Sequence, residues 1–191
     1  MKKSVEFFFD YVSSYSYLAD YRLSSFRNIE IIYRPMLLGA VMQATNNKPP
    51  GTIPSKGNYI AKDLELWSQH YGIPFRMNSI FPQNTLKALR LAIVCQQDNC
   101  FQVIHQALFE AMFVHNLDLS DVDILKNLIN QQQLNSDQLI EKLSENTIKD
   151  ELKRNTNEAI SRGAFGAPTF FINDEMFFGN DRLDFIKAKL L

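Results

Sequence analysis

Few groups in this 191-residue chain have the types and spacing to carry chemistry. Ser13, Ser14, Tyr15 and Ser16 form a run of hydroxyls just after an apolar stretch, residues 5–9, that closes at Asp10. Hydroxyls in that place cap helices, and taken alone Ser13 reads as an N-cap or loop serine. Cys95 and Cys100 are spaced C-x4-C with no second Cys/His pair, which disfavours a structural zinc site. If both lie in helices they stand about 140° apart around the axis, at roughly 100° per residue. They read as small core or surface thiols in a reducing compartment, without chemistry of their own. His70, His105 and His115 lack metal-ligand spacing, so no metal is expected.

The elements that must position these groups follow from periodicity. Residues 5–9 are apolar and aromatic, of strand length. Tyr15, Ala19, Leu23 and Phe26 then share one helix face, and Asn28 stops that helix. Residues 29–33 form a second strand, parallel to the first by a right-handed crossover. Residues 46–51 and Pro54 read as a long exposed loop, neither helix nor central strand. Helical spacing follows over 59–71, over 84–97 from Asn84, and through Ile104, Leu108 and Ala111. Ser120-Asp121-Val122-Asp123 resembles a capping box for a further helix, and Ser136 caps another that continues with breaks to Arg162. Strands return over 169–172 and 175–178, around the two-residue turn Asn173-Asp174. Gly179 breaks the last one, and Asn180 caps a final helix from Asp181 to about Leu190. Strands at the two ends must pair with each other, so the chain reads as one α/β domain interrupted by helices. The expected division is 1–36 with 160–191 as the strand-bearing domain and 37–159 as an all-helical insertion.

Composition narrows the function classes. Hydrophobic residues make up 46% and charged residues 21%, which excludes a disordered or fibrous chain. Twenty basic and twenty-one acidic residues leave a net charge of −1 without a run of Lys and Arg, so neither nucleic acid nor an anionic membrane is an expected partner. No apolar run approaches the 18 or so residues of a membrane span. The basic start Met1-Lys2-Lys3-Ser4 is followed by Glu6 and Asp10, which interrupt any secretory apolar region, and Lys189-Leu190-Leu191 is not a peroxisomal signal. A soluble cytoplasmic protein is the expectation.

The order β-α-β, helical block, β-β-α is that of a thioredoxin-like fold interrupted by a large all-helical insertion, a disulfide-oxidoreductase-like topology. Its active site is the start of the first helix facing a cis-proline before the third strand, here Ser13-Ser14-Tyr15-Ser16 and Gly166-Ala167-Pro168-Thr169. At these residues the likeness goes beyond the fold. Residues 9–18, Phe-Asp-Tyr-Val-Ser-Ser-Tyr-Ser-Tyr-Leu, resemble the opening of the glutathione-dependent 2-hydroxychromene-2-carboxylate isomerases and the related kappa-class glutathione transferases. Tyr33 to Gly39, Asn47-Lys48-Pro49-Pro50 with Lys56-Gly57, Gly72 to Phe75, Gly163 to Phe170 and Gly179 to Leu183 continue the resemblance in order.

The resemblance implies roles residue by residue. The family's serine, here Ser13, hydrogen-bonds the glutathione sulfur, with the helix start adding positive potential. A free thiol has a pKa of about 8.5, and a hydrogen bond to its charged form is worth about 1.5–3 kcal/mol. One such bond would lower the thiol pKa by roughly one to two, raising the thiolate at pH 7 from a few per cent to about a quarter or more. Ser14 stands where the family has Pro, which leaves open which serine acts. A cis Ala167–Pro168 bond would aim the N–H and C=O of Ala167 outward, to pair with the cysteinyl backbone of glutathione. Asn180 and Asp181 match residues that bind the γ-glutamyl end, while Asn47 and Lys56 match positions that hold the tripeptide in the kappa class. The second substrate, a small aromatic or unsaturated acid, would lie between the core and the helical block. Asn84 there reads equally as a contact and as an N-cap. Tyr59, Trp67 and Arg90 are pocket candidates, with core packing the simpler reading of Trp67.

The implied function is glutathione-dependent cis–trans isomerisation, with glutathione regenerated as a cofactor. One alternative is a kappa-class-like transferase that conjugates glutathione to small electrophiles. Another is a non-catalytic binding protein with a degenerate site. Thiol–disulfide exchange at the helix start is disfavoured, because the Cys-x-x-Cys positions hold Ser13 and Ser16. Relatives of this kind often form homodimers.

Overall fold

A computed structural model of the chain describes residues 3–191, so the leading Met1-Lys2 of the basic start lies outside the described residues. Val5, Phe7, Phe8 and Phe9 are fully buried, which makes β1 (Ser4–Phe9) the strand around which the rest is laid. β1 pairs in parallel with β2 (Glu30–Pro35) across α1 (Ser14–Leu23), and antiparallel with β3 (Thr169–Ile172). β4 (Glu175–Phe178) closes the sheet in the order β2-β1-β3-β4, after a turn in which Asn173 takes φ 53°. The ends of the chain therefore meet in one sheet, as the interrupted α/β reading requires, and the fold is thioredoxin-like with inserted helices.

Side chains alternate across a strand, so β1 buries both faces separately. Phe7 and Phe9 enter a core with Leu18 of α1, Leu89 of α4 (Leu86–Gln97) and Phe109 of α5 (Phe101–Phe113). Phe8 packs on the opposite side with Phe171, with Val41 of α2 (Leu38–Ala44), and with Ala159, which lies on the helix preceding β3. That helix is labelled α8 below.

Between β2 and β3 run seven helices. The start of α3 (Pro54–Tyr71) corrects the loop reading: Pro54 is its N1 residue, where a missing N–H costs nothing. Pro50–Thr52 is a short 3-10 turn just before it. The caps of α6 (Val122–Gln131) and α7 (Ser136–Lys142) are also shifted by one from the expected residues. Asp121 rather than Ser120 accepts from the Asp123 N–H, and Asn135 rather than Ser136 accepts from the Gln138 N–H. α8 (Asn146–Ser161) is a separate helix, and Asn180 opens a 3-10 turn that precedes α9 (Leu183–Leu190).

The two cysteines do not stand on opposite sides of a helix. Asn99 turns the chain with φ 58° after α4, and the Cys100 N–H returns to the Cys95 carbonyl at 2.9 Å. Among the described residues no helix is long and apolar enough to cross a membrane.

Candidate active site

The loop after β1 is held by Asp10. The Ser13 N–H donates to the Asp10 carbonyl at 3.0 Å, and the Val12 N–H donates to Asp10 Oδ1 at 3.1 Å. Ser13 then leaves the loop with φ −85° and ψ 107°, the extended geometry of an N-cap, and its Oγ accepts from the Ser16 N–H at 3.1 Å. The same hydroxyl donates its proton to the carbonyl of Ala167 at 3.1 Å. The start of α1 and the segment before β3 are thus joined through one hydroxyl that is itself largely buried.

The Ala167–Pro168 bond is cis, and so is Phe81–Pro82. The Ala167 carbonyl does not point away from Ser13 as expected for a free edge, because it receives the Ser13 proton. A carbonyl has two lone pairs, so one remains for an incoming peptide N–H. Gly166 leaves room for the Phe178 ring, which a Cβ would meet at 2.7 Å. Phe165 and Phe178 rings lie 4.4 Å apart between centroids, both partly exposed beside this segment.

The remaining site residues divide into those free to bind and those already engaged. Lys56, in the first turn of α3, is exposed. Asn47 uses its amide within the protein: Nδ2 donates to the Phe165 carbonyl at 2.9 Å and Oδ1 accepts from the Lys48 N–H at 2.9 Å. It ties the Pro-rich loop to the segment that carries Pro168. Asp181 is partly exposed, with Oδ2 2.7 Å from Arg182. Asn180 is buried against the Tyr71 hydroxyl, which leaves its side chain inaccessible to a ligand. Asn84 is exposed and accepts from the Leu86 N–H at 3.1 Å, but it stands one residue before the N-cap of α4, which is Thr85 rather than the expected Asn84. Trp67 packs on His70 and Tyr71 at the edge of the core, while Tyr59 is 65% exposed and open to solvent. Among the described residues no group of three or more His, Cys, Asp and Glu side chains could hold a metal.

Three polar assemblies around the site and in the core have no counterpart in the sequence reading. Asp10 accepts three side-chain contacts: the Val12 N–H, the Leu38 N–H at 2.9 Å on Oδ2, and the Thr85 hydroxyl at 2.5 Å on Oδ1. It therefore anchors α2 and the N-cap of α4 to the loop that carries Ser13. Burial pushes its pKa up, opposed by the bonds from Thr85, Leu38 and Val12. The second assembly fixes the far side of α1. Tyr15 donates to Asp63 Oδ2 of α3 at 2.7 Å, and burial with that carboxylate pushes its hydroxyl pKa well up. Deeper in the core, the Tyr11 hydroxyl lies 2.9 Å from His105 Nδ1. His105 Nε2 is 3.0 Å from Asp20 Oδ1, off the line of a hydrogen bond.

A hydroxyl at a helix start, bridged to the residue before a cis-proline on a β2-β1-β3-β4 sheet, defines a thioredoxin-fold site. The family model of the DSBA-like thioredoxin domain matches residues 4–191, and the chain belongs to that family. Within it, the chain is 31% identical to a 2-hydroxychromene-2-carboxylate isomerase of Pseudomonas putida, covering 97% of this chain and 93% of that protein. It is 28% identical to glutathione S-transferase kappa 1 of Homo sapiens, over 97% of this chain and 90% of the relative. A solved 2-hydroxychromene-2-carboxylate isomerase superposes with a TM-score of 0.89 at 27% identity, covering 97% of this chain and 93% of that one.

Proposed function

We propose that the chain is a glutathione-dependent isomerase of small unsaturated, aromatic-derived acids, with Ser13 as its catalytic residue. The observation that carries this reading is the Ser13 hydroxyl, fixed at the N-cap of α1 and 3.1 Å from the carbonyl of Ala167. Likeness to the isomerases and the kappa transferases over nearly the whole chain supports it.

The donor set suits glutathione. Ser13 offers one O–H at a helix start, where partial positive charge favours an anion. The spare lone pair of Ala167 suits the cysteinyl N–H, Asp181 suits the ammonium, and exposed Lys56 suits a carboxylate. Asn180 contributes at most its backbone, since its side chain is buried. Asn47 acts indirectly, by holding the loop beside Phe165.

When bound, glutathione would supply a thiolate that adds reversibly to a double bond and is released after rotation. The protein's task is to hold that charge and to orient the acceptor. Ser13 must turn its proton from the Ala167 carbonyl toward sulfur. The ligand's own N–H can take the place of the lost bond on Ala167, so no polar group is left unpaired. Action within the cytoplasm and pairing into a homodimer belong to the same proposal.

The test is an absorbance assay with purified protein, glutathione and 2-hydroxychromene-2-carboxylate. Conversion that requires glutathione without consuming it is the expected result. Inertness toward the chromene, with stable conjugates from an aryl halide, would move the assignment to a transferase. No thermal shift with millimolar glutathione would leave a non-catalytic binding protein.

A further inference from the structure

The chain's two thiols are brought together by the joint between α4 and α5. α4 ends at Gln97, and Asn99 takes the left-handed conformation at φ 58°. The Cys100 N–H then bonds the Cys95 carbonyl at 2.9 Å. This six-residue closure sets the side chain after the turn against the one in the last helical turn, normally as an apolar contact. Here both positions are cysteine, so the closure sets the Cys95 and Cys100 side chains against each other.

The two sulfurs differ in access. Cys95 is fully buried, whereas Cys100 is half-buried and lines an open hollow of about 310 Å³ with Gln96, Asn99 and Phe101. Lys142 and Asp98 face the pair, paired to each other at 2.6 Å and close enough for their charges to act on Cys95. A reagent in solvent therefore meets Cys100 before the buried Cys95.

We propose that Cys95 and Cys100 are a peroxide-reactive dithiol that closes to a reversible disulfide across the α4–α5 joint. Cys100 gives up its proton, its thiolate attacks one oxygen of a hydroperoxide, the O–O bond breaks, and the departing oxygen takes up that proton and leaves as water or an alcohol. Cys100 is then a sulfenic acid. The Cys95 sulfur attacks it, the S–O bond breaks, and the leaving hydroxide takes the Cys95 proton to form a second water. Two thiols lose two electrons and two protons in total, and the peroxide takes up both. Burial pushes the Cys95 thiol pKa up, which disfavours it as the sulfur that attacks the peroxide. The site is separate from Ser13 and does not depend on the glutathione reading.

The experiment treats the whole folded protein with hydrogen peroxide, alkylates remaining thiols in denaturant, and maps the products by mass spectrometry, with and without dithiothreitol. Expected is loss of both alkylation sites together, a 95–100 cross-link within one chain, and return of both on reduction. Cys95→Ser should leave Cys100 as a sulfenic acid captured by dimedone, and Cys100→Ser should leave Cys95 unoxidised at the same dose. The wild-type result decides the matter even if a variant folds poorly. Two intact thiols after treatment, Cys100 carried on to sulfinic acid beside free Cys95, or a disulfide between chains would each overturn the proposal.

Discussion

The Ser13 hydroxyl has one proton to give, and in the folded chain it goes to the Ala167 carbonyl while the oxygen accepts from Ser16. Ser13→Ala removes both bonds. It should cost about 1–2 kcal/mol of stability in urea unfolding. It should also slow glutathione-dependent turnover about ten- to a hundredfold, the equivalent of one hydrogen bond to a charged sulfur, with glutathione affinity little changed. Asp10 is the second residue on which the site rests, and in the sequence it is legible only as a carboxylate ending a strand. Its partners, Leu38 and Thr85, lie far along the chain, so only the fold reveals the cluster. Asp10→Asn places an amide N–H against the N–H of either Leu38 or Val12, and should destabilise the protein by about 2–4 kcal/mol. Burial raises the folded pKa of Asp10 above its ordinary 3.8. The folded state therefore holds this proton more tightly than the unfolded one, so the stability linked to it is full below pH 3.8 and declines as pH rises through the folded value. Asn does not titrate. The deficit of Asp10→Asn, measured by urea unfolding across that range, should be largest in acid and shrink toward neutrality.

At the scale of elements, strands were the most legible feature. The 169–172 and 175–178 runs coincide with β3 and β4, because aromatic and β-branched residues flank a two-residue turn of suitable chemistry. α2 was not anticipated: its seven residues are too few to display a helical period, and only Val41 of them is buried. The start of α3 was hidden for a different reason, since Pro54 breaks a helix anywhere except its first turn. Helix-wheel arithmetic separated Cys95 from Cys100 because it assumed one continuous helix, whereas Asn99 reverses the chain between them. The turn after β4 is sharply constrained. Gly179 takes φ 104°, and a Cβ there would lie 2.5 Å from Asp181 Oδ1. Gly179→Ala should destabilise the protein by about 1–2 kcal/mol, seen as a lower Tm. By displacing Asp181 it should also weaken glutathione binding, which isothermal titration would detect.

Across the whole molecule, the helical block is not a separate body resting on the sheet. Phe7, Phe9 and Phe170 from the strands share one core with Leu89, Phe109 and Phe113 from the inserted helices. Asp10 adds a polar tie between the same two parts. The proposed division at residues 36 and 160 therefore places residues of both parts in one shared core. Unfolding in urea should be a single transition, with Trp67 fluorescence reporting the insertion and far-ultraviolet dichroism reporting the whole. Separated midpoints would show that the insertion melts on its own. Sequence order was enough to foresee the sheet, because strands at the two ends had only each other to pair with. It could not foresee which site groups are already engaged: Asn47 and Asn180 matched binding positions, yet one holds a loop and the other is buried on Tyr71.

The central claim is that Ser13 holds a thiolate, and ionisation of the bound thiol measures it directly. Far-ultraviolet absorbance of the protein–glutathione complex, followed against pH, should show the thiol ionising roughly one to two pH units below its free value of about 8.5. In Ser13→Ala the midpoint should return toward that free value. Coincident curves for the two proteins would contradict the account.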